Sequence, residues 1–237
     1  MFPMFRHFLL PLIPCITFFL SSPPSWGQEH QHHPHQPPQG AAHHHRFNDI
    51  DKAVHMFENE ERDAWQKPDE VVTHLHLLPG NVVADIGAGT GYFTRRFASV
   101  VGSEGKALGL DIEATMVAYM MEDARKRELT QYTARQVQPH DPQLESRSVD
   151  VVFICDTYHH MQDRVVYARL LAQALKSEGR VVIVDFQKRP LPLGPPMEWK
   201  LTPETVAEEF RQAGFQLARS LDFLPYQYFL EFTLSAK

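Results

Sequence analysis

Val82-Val83-Ala84-Asp85-Ile86-Gly87-Ala88-Gly89-Thr90-Gly91 is the stretch whose reading decides the fold. An apolar run that closes on an acid and three glycines predicts a buried strand turning sharply into a helix. The glycines remove side chains where a ligand must approach the backbone, so the turn reads as a nucleotide pocket. Downstream, Phe93, Phe97, Val100 and Val101 share the spacing of one helical face, which lays the next helix back on the sheet.

The pattern repeats outward from there. Lys106 to Asp111 is a second strand ending in an acid, Glu113 to Glu128 a helix, and Tyr132 to Val137 a third strand. Two prolines make Pro139-His140-Asp141-Pro142 a loop. Val149 to Cys155 reads as a central parallel strand buried on both faces. Tyr167, Leu170, Leu171 and Ala174 mark a helix that Gly179 ends, and Arg180 to Phe186 repeats the strand pattern. On the amino-terminal side, Phe47 to Glu61 reads as one polar helical segment, and Pro68 opens a helix that Pro79-Gly80 stops.

At the other end, Thr202 caps a helix with Pro203 at its first position and Gly214 after its end. Phe215 to Phe223 and Gln227 to Leu234 follow, with too little chain between them for a crossover helix, so they must pair antiparallel. The fold class is therefore α/β. It is a doubly wound, Rossmann-like, mostly parallel seven-stranded sheet with an antiparallel C-terminal hairpin and helices on both faces.

Glycine spacing separates the ligands such a turn can hold. A dinucleotide fingerprint runs Gly-x-Gly-x-x-Gly, whereas here Gly87, Gly89 and Gly91 alternate and Tyr92 occupies the place of the third glycine. A phosphate-cradling loop needs Lys followed by Ser or Thr, which Thr94-Arg95 does not supply. Asp85 points into the pocket, where a carboxylate repels a pyrophosphate and suits a cationic or amine-bearing ligand. Packing alone also calls for glycine in a strand-turn-helix, with Asp85 then a helix-capping acid; two acid-ended strands, the spacing and the hairpin together favour a ligand site.

With Asp-x-Gly-x-Gly-x-Gly in place, residues 68 to 235 resemble the class I S-adenosylmethionine (SAM) dependent methyltransferases. The resemblance implies SAM as cofactor. It implies that Asp85 meets the methionine end, that Gly87, Ala88, Gly89 and Gly91 let that moiety lie on the backbone, and that Asp111, followed by Ile112, binds both ribose hydroxyls. It also implies an acid after the third strand on the adenine amino group, for which Asp141 is the candidate, and places Asp156, at the end of the fourth strand, on the cofactor.

The acceptor side begins at Asp156-Thr157-Tyr158-His159-His160-Met161, at the carboxyl end of a central strand, where open α/β sheets place their reaction site. A histidine takes a proton from a hydroxyl, thiol or amine, and Tyr158 positions the acceptor, so Tyr158, His159 and His160 are the catalytic candidates. The alternative is that one histidine packs or caps the following helix and Tyr158 belongs to the core. No Asn/Asp-Pro-Pro-Tyr/Phe run and no Pro-Cys occurs there, which argues against amino methylation of adenine or glutamine and against cytosine-ring attack; the family resemblance then implies a small-molecule methyl acceptor as the expected partner. No ligand cluster in the domain supports a metal. The proline-rich stretch Phe186 to Met197 follows the fifth strand beside the pocket mouth, with Lys188 and Arg189 available for an anionic group or serving a plain connecting loop. The resemblance implies that the helix around Glu61 to Trp65 forms the opposite wall; the alternative is that Trp65 is ordinary packing.

Lys and Arg number 23 against 29 Asp and Glu in 237 residues, for a net charge of −6, an acidic balance that argues against a nucleic-acid partner. Residues 1–27 have the layout of a secretory signal: Arg6, an apolar stretch from Phe8 to Leu20, then Ser25-Trp26-Gly27. That stretch falls short of the about 20 apolar residues a spanning helix needs, so no stable membrane span is expected after cleavage, and Cys155 is left as a lone buried thiol. Residues 28–45, rich in His, Gln and Pro, read as a disordered tether with incidental metal affinity. On that resemblance, residues 46–237 are expected to form the SAM-binding methyltransferase domain. The expectation is an exported, periplasmic or secreted methyltransferase, with a non-catalytic SAM- or nucleoside-binding module on a metal-binding tether as the second reading and a NAD-dependent oxidoreductase, which Tyr92 and Asp85 disfavour, as the third. Export sits in tension with the cytosolic origin of SAM. Sequence leaves the oligomeric state open.

Overall fold

The computed structural model describes residues 50–235. The expected signal over 1–27 and the His-rich tether over 28–45 lie outside the described residues.

Three helices lead into the sheet: α1 (Ile50–Phe57), α2 (Glu60–Gln66) and α3 (Pro68–His74). The helical segment expected over 47–61 is divided, because Asn59 stops the first helix and caps the second, its side chain accepting from the Glu61 amide at 3.0 Å. Lys67, at φ 46°, ends α2, and Pro68 starts α3 where no amide donor is needed.

Five parallel strands follow: β1 (Val82–Ile86), β2 (Lys106–Asp111), β3 (Tyr132–Gln136), β4 (Val149–Cys155) and β5 (Leu175–Phe186). Antiparallel β6 (Phe215–Leu221) and β7 (Gln227–Leu234) complete a seven-stranded sheet in the order β3-β2-β1-β4-β5-β7-β6. The connecting helices are α4 (Thr94–Val101), α5 (Ala114–Lys126), α6 (Arg164–Ala174) and α7 (Pro203–Gln212). Alternating residues of β4 feed two cores. Val152 and Ile154 pack with Tyr167 and Leu171 of α6 and Phe210 of α7 on one face, while Val151 and Phe153 pack with Val71 of α3, Phe97 of α4 and Met120 of α5 on the other.

Two expectations are corrected. Val100 is 38% exposed, and Ala98 takes its place on the buried face of α4 with Phe97 and Val101. Gly179 does not end a helix: α6 stops at Ala174, β5 begins at Leu175, and pairing with β4 passes from Val149↔Leu175 to Val151↔Arg180, so residues 176–179 bulge inside the strand. Among the described residues no helix is long and apolar enough to cross a membrane.

The chain passes from β1 outward to β3 and then returns across β1 to β4, so the strand order reverses between β1 and β4. A crevice opens there at the carboxyl ends of the strands. Asp85, Asp111, Asp156 and Asp185 stand at the ends of β1, β2, β4 and β5 around it.

Candidate active site

A cavity of about 750 Å³ occupies this crevice, floored by the strand ends and roofed by α1 and α2. That volume falls in the range of cofactor and small-molecule sites, about 300–1,000 Å³.

The glycine turn forms one end. Gly87 has φ +69°, and a Cβ on it would stand 2.4 Å from the side chain of Thr157, so backbone is all that fits between β1 and the end of β4. Gly89 donates its amide to Asp111 Oδ2 at 2.8 Å, and Glu113 donates to Oδ1 at 2.9 Å, which holds the β2 carboxylate under the turn. Asp85 receives the Thr94 hydroxyl at 2.6 Å. Burial, reinforced by the nearby Asp111, pushes its carboxyl up to about 7. Asp111 is likewise raised by burial.

Asp85, Gly87, Ala88, Gly89, Asp111, Ile112 and Asp156 all line the cavity. Gly91 stands behind the lining, where a Cβ would run into the Tyr132 hydroxyl. Asp141 does not reach the cavity; its carboxylate accepts the Gln143 amide at 2.7 Å in a local turn, and Val137 to His140 form that part of the wall. The sequence cue was a strand-ending acid, but the irregular loop turns it away.

At the other end the two histidines part from Tyr158. Tyr158 is 1% exposed, and its hydroxyl donates to Glu209 at 2.9 Å on α7, which also holds Arg164. It belongs to the core and does not line the cavity. His159 and His160 line the cavity with rings 4.1 Å apart. His159 Nδ1 lies 2.8 and 2.9 Å from the two carboxylate oxygens of Asp185, and its amide donates to the same carboxylate at 3.3 Å. Burial lowers the imidazole pKa, but Asp185 and, less strongly, Asp156 outweigh it and raise the value above the ordinary 6.5. Asp156, at φ 53°, accepts from Gln227 Nε2, and burial together with Asp185 raises its carboxyl to about 6. Cys155 lines the cavity as a thiol whose pKa burial raises.

Asp185 went unnoticed in the sequence, although it closes β5 as Asp85 and Asp111 close their strands. Lys188 and Arg189 do not line the cavity; Arg189 turns to the Pro225 carbonyl at 2.8 Å, and Leu193 to Pro196 take the wall instead.

The roof is fastened to the turn it covers. Glu58 receives the two terminal guanidinium nitrogens of Arg95 at 2.7 Å and the Thr90 hydroxyl, while Arg95 Nε donates to Asp123 at 3.0 Å. Burial works against ionising Glu58, but Arg95 and Thr90 win and hold its carboxyl below the ordinary value. Arg62 stacks over the Tyr92 ring at 4.0 Å and faces the cavity, and Gln66 Nε2 donates to Gln227 Oε1 at 2.6 Å. Trp65 both lines the cavity and packs on Phe186, with ring centroids 5.8 Å apart.

Comparison with known proteins places this arrangement among relatives. The sequence model of a family described as "Methyltransferase domain" matches residues 77–222. Among curated proteins, a ubiquinone/menaquinone biosynthesis C-methyltransferase of Ectopseudomonas mendocina is 33% identical over 122 residues, covering 49% of this chain and 46% of that protein. Phosphoethanolamine N-methyltransferase 1 of Arabidopsis thaliana is 27% identical over 158 residues, covering 62% of this chain and 28% of its own length. The chain thus spans less than half the length of either. A SAM-dependent methyltransferase from Aquifex aeolicus has the same fold, with a TM-score of 0.74 at 23% identity over 79% of this chain and 99% of that one.

Proposed function

The chain belongs to the class I SAM-dependent methyltransferase family, and from that premise we propose that it transfers the methyl group of SAM to a small-molecule acceptor held at the ends of β4 and β5. The observation that carries this reading is the single cavity surface joining the glycine turn and Asp111 to the His159–Asp185 pair.

The residues present suit the cofactor. Gly87 cannot carry a Cβ, so the turn offers bare backbone; Asp85 offers a buried carboxylate for an ammonium group; Asp111 keeps acceptor capacity for hydroxyls beyond the two amides it receives. In this reading Asp85 and residues 87–89 hold the methionine end, Asp111 and Ile112 the ribose, and residues 137–140 bound the adenine end. Bound SAM supplies an electrophilic methyl on a sulfonium. The chain's own part is to align the acceptor for in-line approach and to keep water out beneath α1 and α2.

Residues 1–27 support export of the domain as part of this proposal, through their short basic head and apolar stretch; fractionation of cells making the full chain tests it. The function itself is tested by supplying the full chain with methyl-labelled SAM and a mixture of small hydroxylated, amino and thiol compounds. Label is expected in low-molecular-mass products with matching release of S-adenosylhomocysteine. Label found only in protein or nucleic acid contradicts the reading.

A further inference from the structure

The acceptor end combines two features that together select a chemistry. The first is a fixed proton acceptor. Asp185, 1% exposed, grips Nδ1 and the backbone amide of His159 and also receives the Phe186 amide at 2.8 Å, so the ring cannot turn. Nδ1 is committed as the donor toward Asp185, which leaves Nε2 with its lone pair for the cavity that His159 lines. The second is a set of flat apolar walls. Trp65 and Phe186 line the cavity with ring centroids 5.8 Å apart, and Trp199, 6.1 Å from the His160 ring, lines it with Leu193 and Pro196.

The geometry points to a phenol as the acceptor: a flat hydroxylated ring held among Trp65, Phe186 and Trp199, whose proton passes to His159 Nε2, with Asp185 as the residue that positions the imidazole. This inference rests on the assignment of the cavity to methyl transfer. A neutral amine attacks with a free lone pair and needs no base, and a thiol, with a pKa of about 8.5, ionises largely unaided near neutrality. A phenol, at about 10, keeps its proton at neutral pH yet lies within a few units of imidazole, where general-base transfer is effective. Aliphatic alcohols are far weaker acids and gain nothing from the aromatic walls. Carboxylates at Asp156 and Asp185 also disfavour an acceptor that is already anionic.

In the step, the O–H bond breaks toward Nε2 as the oxygen forms the O–CH₃ bond. The S–CH₃ bond breaks with its electron pair left on sulfur. The products are an aryl methyl ether, S-adenosylhomocysteine and a protonated imidazole, which returns its proton to solvent.

The test uses the full chain with SAM and three compounds of one ring shape, 2-naphthol, 2-naphthylamine and naphthalene-2-thiol, with products read by mass spectrometry and SAM binding by calorimetry. Methylation of the naphthol in preference to the other two is expected. His159→Gln should lower kcat/KM for naphthol by about 100-fold or more, and Asp185→Asn by about tenfold, with SAM affinity unchanged in both. The pH profile distinguishes positioning from packing. Asp185 and Asp156 favour the imidazolium and Arg164 opposes it, so activity rises as His159 loses its proton, and Asp185→Asn should move that rise to lower pH. With bound S-adenosylhomocysteine, the ionised-naphthol absorbance should appear at a pH where free naphthol is protonated, and vanish in His159→Gln. Preference for the amine or thiol, an unmoved pH profile in Asp185→Asn, or transfer to none of the three by a chain that binds SAM overturns the inference and leaves the methyltransferase reading standing. A chain that does not bind SAM overturns both.

Discussion

The amide of Gly89 donates to Asp111 Oδ2 at 2.8 Å, so the glycine turn after β1 and the acid that ends β2 are one unit. The turn's shape depends on that carboxylate, and the carboxylate's position on the turn. A ligand that needs both bare backbone and an acceptor pair finds them already assembled, and the free energy of ordering the loop is met at folding rather than at binding.

Gly87→Ala tests how tightly that unit is built. The added methyl meets Thr157 at 2.4 Å on a backbone with φ +69°, so the variant should lose about 1–3 kcal/mol of stability and bind SAM at least tenfold more weakly. Urea unfolding and calorimetry measure the two losses separately.

Asp85 sets function against stability. Its carboxyl titrates at about 7 in the folded chain against an ordinary 3.8, so the folded state holds the proton more tightly than the unfolded one. Asp85 therefore opposes folding increasingly as pH rises from about 4 to about 7, and fully above that. Asp85→Asn should raise the melting temperature at about pH 8, by a stabilisation on the order of 1–4 kcal/mol, and change it little at about pH 4. The same variant should lose SAM affinity, and affinity of the unmodified chain should climb through about pH 7 as the carboxylate forms. Melting curves at both pH values check the sign; a destabilised variant at the higher pH contradicts it.

The roof should depend on Glu58. Arg95 is buried to 11% side-chain exposure between Glu58 and Asp123, and Glu58→Ala leaves it one partner fewer. The expected cost is about 1–3 kcal/mol, discounted because Glu58 itself keeps 23% exposure. Proteolysis should cut first within residues 50–66, and the KM for SAM should rise more than kcat falls.

Phe210→Ala tests the core beneath the acceptor end. Phe210 is fully buried, stacked on Phe232 at 4.2 Å and against Phe215 at 5.2 Å. Its loss should cost about 3–5 kcal/mol in thermal or urea unfolding, while SAM affinity of the folded fraction stays intact because no cavity wall is touched.

The strand framework and the glycine turn were legible from sequence because both are local. An apolar run closing on Asp85 and alternating glycines announces its own turn, and the short link between β6 and β7 forces antiparallel pairing. What stayed hidden depends on distant chain. Asp185 gains its meaning only when β4 and β5 pair through Cys155↔Val184 and bring it to His159. Tyr158 sits beside two cavity histidines in sequence, yet the short helical turn over Tyr158–His160 sends it toward Glu209. Asp141 followed the right pattern, but a two-residue side-chain turn to Gln143 claimed it. Gly179 carried a helix-stop signal that the bulge opposite Val149 and Val151 absorbed.

Calorimetric titration of the full chain with SAM, repeated with Asp111→Ala and Asp85→Ala, tests the central claim most directly. The account predicts one SAM bound per chain, with affinity lowered at least tenfold by each substitution while Phe210→Ala leaves it unchanged in the folded fraction. No heat of binding from the unmodified chain, or affinity in both acid variants equal to that of the unmodified chain, would contradict it.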